Sequence, residues 1–144
     1  MMRPAWSVLL LSGCAHAQAP RECPAGYMTD ARASTELRDA LRADPEGARL
    51  LEATAGRATF CFARGGPGVL TEGALLLDDA PADPRVVARA AHLLHHLARG
   101  ERVTSGDPHS ADERAASELE ARLFARACQR SASPPAYCNQ VPPP

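Results

Sequence analysis

Apolar positions recur at two different periods along this chain, and the switches between them divide it into elements. Leu37 and Leu41 stand four apart behind Ser34 and Thr35, either of which can cap a helix running to about Ala43. Asp44-Pro45 restarts the helix, because an Asp cap with Pro at the first helical position is a start signal. Leu50, Leu51 and Ala55 carry it to a stop at Gly56. Ala58 to Ala63 then reads as a strand, with Thr59, Phe60, Cys61 and Phe62 all suited to a pleated surface. Gly65-Gly66-Pro67-Gly68 reads as a hairpin turn. Val69 to Leu77 follows as a second strand or two short ones, interrupted at Gly73 by a bulge or another hairpin tip. Asp83-Pro84 opens a longer helix over Arg85 to Arg99, closed by Gly100, with Val86, Ala90, Leu93, Leu94 and Leu97 on one face. Ser110 caps a last helix, Asp112 to Arg130, whose apolar stripe is Ala116, Leu119, Leu123 and Ala127, with Phe124 at its edge. Glu113, three residues past Ser110, completes a capping box. The pattern predicts a small α+β domain with three to four helices and a β-hairpin or short meander.

One apolar run fits none of these elements. Ala5 to Leu11 follows Arg3-Pro4 and is too short to cross a bilayer, which takes about 20 residues, so it reads as an export signal. It ends in Leu11-Ser12-Gly13-Cys14, which resembles the lipobox of bacterial lipoproteins. That resemblance implies cleavage before Cys14, a diacylglycerol on its sulfur and attachment of the chain to a membrane of the cell envelope. Ala15, rather than Asp, follows the cysteine, and by the enterobacterial pattern this favours the outer membrane. The competing reading is ordinary secretion, since Ala15-His16-Ala17 and Ala17-Gln18-Ala19 are small-x-small cleavage patterns. The chain then divides into a signal peptide, 1–13, a tether, 14–22, a single α+β domain, 23–138, and a Pro-rich tail, 139–144.

Charge adds little beyond exclusion. The 16 basic residues, all Arg, face 17 acidic ones, so no basic excess points to nucleic acid. The expected partner is the membrane, through the lipid anchor, with a protein or envelope partner left open. Five cysteines say more. With Cys14 set aside for lipid, Cys23, Cys61, Cys128 and Cys138 form an even set suited to an oxidising space. Three connectivities are possible. Cys128 with Cys138 closes a short loop around Pro134-Pro135, Cys23 with Cys61 ties the N-terminal segment to a strand, and this is the favoured pairing.

Candidate chemistry concentrates on the Arg85–Arg99 helix. His92 and His96 are four apart, the spacing at which two imidazoles on one helix can hold one metal ion. Ala90-Ala91-His92-Leu93-Leu94-His95-His96 resembles the helix of the zincin metallopeptidases, whose motif is His-Glu-x-x-His. The resemblance extends over about Gly56 to Ala127 and implies an acidic third ligand on the following helix. Leu93 stands where the family has its general-base glutamate, so the resemblance implies a catalytically dead copy that can still hold zinc. Glu120, beside the apolar stripe of the last helix, is the carboxylate most in need of a partner and is the expected third ligand. The family pattern also allows Glu118, which can instead pair with Arg122 at the surface.

The same residues support a plainer reading. His92 and His96 project near Arg85, Arg89 and Arg99, and a solvated polar face accounts for them with no metal and no cofactor. His16 and His109 lie in tether and loop and receive no role. There is no Gly-x-Ser-x-Gly elbow and no Gly-x-x-x-x-Gly-Lys loop. The expectation is a non-catalytic, envelope-anchored interaction or structural module with no required cofactor. The alternative is a zinc-dependent hydrolase built on His92, His96 and Glu120.

Overall fold

The computed structural model describes residues 22–104 and 107–140. Cys14, the signal segment and most of the tether lie outside the described residues, as does the tail from 141 onward. Helices α1 (Ala31–Arg42) and α2 (Pro45–Ala53) come first, followed by strands β1 (Thr59–Ala63), β2 (Val69–Thr71) and β3 (Ala74–Asp78). Helices α3 (Pro84–Ala98) and α4 (Ala111–Arg130) and a short 3-10 turn, Ala136–Gln140, complete the chain. This is a small α+β domain, stapled by the disulfides Cys23–Cys61 and Cys128–Cys138.

Local chemistry explains most of the boundaries. Asp44, Asp83 and Ser110 cap α2, α3 and α4, each side-chain oxygen accepting from a first-turn N–H, and Pro occupies the start of α2 and α3. The start of α1 differs from expectation. Asp30 is the cap and accepts from Ala33 N, while Thr35 sits inside the helix with its hydroxyl bonded to the Ala31 carbonyl. An aspartate one turn earlier out-competed the Ser34-Thr35 pair as the cap.

The sheet departs from a simple meander. Its order is β1-β3-β2, with β1 parallel to β3 and β2 antiparallel to β3. The segment Gly65 to Gly68 is therefore not a hairpin tip, since β1 and β2 do not pair. The hairpin is β2–β3, and Glu72 and Gly73, both at positive φ, form its two-residue turn. The physical reason is the composition of β3. Ala74 to Leu77 are all buried, a continuous apolar run that belongs in the centre of a sheet. Alternation then sorts the side chains. Phe60, Phe62, Leu75 and Leu77 face the helices, where Leu37, Leu41, Leu93, Leu94, Leu97, Leu119 and Leu123 meet them in one core. Cys61, Ala74 and Leu76 face the other way, covered by Cys23, Tyr27 and Val69. At about 1.5–3 kcal/mol for each large apolar side chain fully buried, the helix-facing cluster dominates stability. It also fixes α3 against α4, the most extensive helix pair in the fold.

Candidate metal centre

The polar residues of interest lie where α3 and α4 cross. Leu93 and Leu94 turn into the core with no exposure, and this orientation carries His92 and His96 onto the flank facing α4. Both imidazoles are buried, at 1% and 2% residue exposure, which corrects the expectation of a solvated polar face. Their Nε2 atoms stand 3.1 Å apart. Glu113, in the first turn of α4, sets Oε1 3.1 Å from His92 Nε2 and Oε2 3.0 Å from His96 Nε2. Glu113 does not spend its carboxylate on a reciprocal capping box. Ser110 still caps the helix by accepting from Glu113 N.

Glu120 occupies a different place. Its Oε2 is 2.6 Å from His92 Nδ1, on the far side of the ring, so the carboxylate that meets both Nε2 atoms is Glu113 and not Glu120. Arg89 reaches Glu120 Oε2 at 3.1 Å while its Nε donates to the Gly68 carbonyl at 2.7 Å. Gly68 has φ of 69°, and a Cβ there would come within 2.7 Å of Arg89 Cγ, so glycine keeps this guanidinium seated. Burial alone would raise the Glu120 carboxyl, but the His92 contact and the Arg89 guanidinium hold it below the usual carboxylate range. Glu118 is exposed, and Arg122 pairs with Glu46 of α2 at 3.0 Å.

His96 receives the matching arrangement from the loop after α3. Gly100 at φ 90° reverses the chain, and Glu101 N donates back to the His96 carbonyl. This places Glu101 Oε2 3.0 Å from His96 Nδ1, with Asp112 Oδ2 at 3.5 Å. The loop is fastened further along, because Thr104 N donates to Leu70 O and Leu70 N donates to Thr104 Oγ1. Asp112 is shared with Arg99 Nε at 2.5 Å and His95 Nε2 at 3.4 Å. Desolvation pushes its carboxyl up, but Glu101, Arg99 and His95 together hold it below the usual value.

Proton bookkeeping gives the site its character. Glu120 Oε2 at 2.6 Å and Glu101 Oε2 at 3.0 Å stand behind the two rings, where each carboxylate favours the tautomer that keeps its proton on Nδ1. The ring N–H groups do not aim squarely along these contacts, but the separations are those of ion pairs. With the protons on Nδ1, each Nε2 would carry a lone pair, and both stand within 3.1 Å of an oxygen of Glu113. Glu113 Oε2 is buried and makes no aligned hydrogen bond, although His96 Nε2 is 3.0 Å away. The two Nε2 atoms are themselves within hydrogen-bonding distance, so in the absence of an ion one ring can donate to the other, and a shared ion would take both lone pairs instead. For metal–ligand distances of about 2.0–2.1 Å in tetrahedral array, ligand atoms sit about 3.3 Å apart, close to the separations here. Doubly protonating both rings would instead set two N–H groups against each other across 3.1 Å.

His92, His96 and Glu113 thus form one group of ligand atoms mutually within 4.8 Å, and His96, Glu101 and Asp112 form a second. Sequence reasoning found the two histidines and missed Glu113, Glu101 and Asp112. The available signal was the acidic first turn of α4, and its capping role accounted for it without a further function. No family model, curated protein or solved structure matches the chain.

Proposed function

We propose that this chain is an envelope-anchored lipoprotein whose domain holds a divalent metal ion, zinc by its donor set, as a non-catalytic structural or interaction module. The supporting observation is the convergence of His92 Nε2, His96 Nε2 and both oxygens of Glu113, with a carboxylate behind each ring. Imidazole nitrogens and a carboxylate suit zinc, and outer carboxylates that fix the ring tautomer raise ligand basicity. Charge agrees. Glu101, Asp112, Glu113 and Glu120 supply four negative charges, and Arg89 and Arg99 supply two positive ones. With neutral rings the balance is 2 − 4 = −2, which a divalent cation cancels.

A hydrolase needs a base beside the metal-bound water, and the position that would supply it is Leu93, fully buried in the core. Both imidazole ligands are buried and Glu113 is partly so, which favours holding over turnover. Lipidation at Cys14 rests on the Leu11 to Cys14 motif, the outer-membrane location on Ala15 standing after it in place of Asp, and the oxidised cysteines of the domain fit an envelope compartment.

The test is metal content and competition titration of the full-length, disulfide-bonded protein in detergent. One equivalent of zinc is expected, lost in His92→Ala/His96→Ala and in Glu113→Ala. An unmetallated protein that ignores added zinc would overturn the reading. Zinc-dependent cleavage of a peptide library by the same preparation would replace it with the hydrolase. Intact mass should show a diacylglycerol adduct that disappears in Cys14→Ser, and an unmodified Cys14 would overturn the anchor.

A further inference from the structure

A second site lies outside the metal centre, in a groove of about 590 Å³ between α3, α4 and the C-terminal 3-10 turn. Pockets of this volume are typical of small-ligand sites. Its walls are apolar where Ala88, Ala121, Phe124 and Tyr137 line it, and Phe124 and Tyr137 stack with ring centroids 5.9 Å apart.

The charges at its two ends are opposite. Arg85 lies over the Tyr137 ring at 3.6 Å and has no carboxylate partner among the described residues. Tyr137 is itself held, its hydroxyl donating to Asp83 Oδ1 at 2.6 Å and its neighbour Cys138 bridged to Cys128. Burial and that hydrogen bond push the Tyr137 hydroxyl up to about 12, so it stays a neutral donor and Arg85 is not neutralised by it. At the other end Glu120 uses a single oxygen, Oε2, for both His92 and Arg89, leaving Oε1 to the groove it lines. Ser117 and Gln140 add hydrogen-bonding groups to the lining.

Spacing selects the ligand. Glu120 meets α3 at Arg89 and His92, four to seven residues beyond Arg85, which at 1.5 Å per residue is about 6–10 Å along the helix. The ends of a single amino acid are too close together for that span. Two to three residues of extended chain, at about 3.3–3.6 Å each, match it. We propose that the groove binds a free di- or tripeptide carrying an apolar side chain, its carboxylate on Arg85, its ammonium on Glu120 Oε1 and its side chain against Phe124 and Tyr137. This goes beyond the metal reading and does not depend on it.

The test is titration calorimetry of the full-length protein with the unblocked dipeptide Ala-Phe, its N-acetyl form and its C-terminal amide. Each blocked form should bind about tenfold or more weakly, the loss expected for one charge-assisted hydrogen bond. In Arg85→Gln the free dipeptide and its amide should become equal, while N-acetylation still weakens binding. Ala121→Leu, at an exposed groove position, should remove binding with zinc content and melting temperature unchanged. No binding of Ala-Phe, or equal binding of free and blocked forms, would overturn the proposal. Zinc measured on the same preparations separates the two readings, since a zinc-free protein that still discriminates the dipeptides retains the groove and loses the metal.

Discussion

Helix α4 carries two polar clusters, and they differ in how their charges close. Along its C-terminal half, Arg126 grips Asp44 at 2.6 Å and Glu46 at 2.5 Å, Arg122 reaches Glu46 at 3.0 Å and Arg130 reaches Asp44 at 3.3 Å. Asp44 has no exposure and is still satisfied, because it also caps α2 by accepting from Glu46 N. Along the N-terminal half, Asp112, Glu113 and Glu120 meet two imidazoles and Glu101, with fewer cations than carboxylates. Acids at the start of the helix and arginines toward its end both suit the macrodipole, so the helix alone does not explain the imbalance. A closed cluster is complete as cement. The second cluster leaves carboxylates in excess, the charge that the proposed metal ion would offset.

Breaking the closed cluster should have the largest effect. Asp44→Ala removes a buried carboxylate, takes from Arg130 its carboxylate partner and from Arg126 one of two, and deletes a helix cap. A loss of about 3–5 kcal/mol is expected in the unfolding free energy measured by urea denaturation, the same with and without zinc. Adding zinc at about 100 times its dissociation constant should stabilise the wild type by about 2.7 kcal/mol and leave the Glu113→Ala variant unmoved. A zinc effect that survives in Glu113→Ala would erase the distinction between the clusters. Glu120→Gln should keep the metal but weaken it about 10–100-fold in competition titration, because the His92 ring loses its anionic partner and not its ligand atom.

Acid separates the clusters in a smaller way. The Asp44 carboxyl would be raised by burial but is held below its usual value, chiefly by Arg126 and the Glu46 N–H. A carboxyl depressed in the fold contributes stability that is present above its unfolded value, near 3.8, and lost as pH falls through the folded value. The stability gap between wild type and Asp44→Asn should therefore narrow below about pH 3.8 and stay level above it, as read by unfolding at stepped pH.

The sequence is most readable where one residue's chemistry decides a local outcome. Asp83-Pro84 and Gly100 bound α3 as their cap preferences require, and the short spacing of Cys128 and Cys138 made their bridge the natural pair. It is least readable where distant segments choose one another. The parallel pairing of β1 with β3 depends on which strand takes the central place, and no spacing in the chain encodes that. The third carboxylate shows the same limit. Glu120 was singled out from its place beside an apolar stripe, yet the crossing of α3 and α4 puts it behind the His92 ring and brings Glu113, seven residues earlier, to the front. Glu101 was invisible for another reason, since only the left-handed turn at Gly100 swings it back over His96.

Among the described residues, no helix lies over the far face of the sheet. Cys61, Ala74 and Leu76 are roofed by one strip of chain around Cys23 and Tyr27, fastened by the Cys23–Cys61 bond and by the pairing of Met28 with Phe62. Reducing that bond would leave the roof held mainly by the two backbone hydrogen bonds between Met28 and Phe62. Where thiols stay reduced, the same polypeptide would be a sheet with a loose cover, an easy mark for proteases and for self-association. The cover on this face is thus complete only where the sulfurs of Cys23 and Cys61 can join.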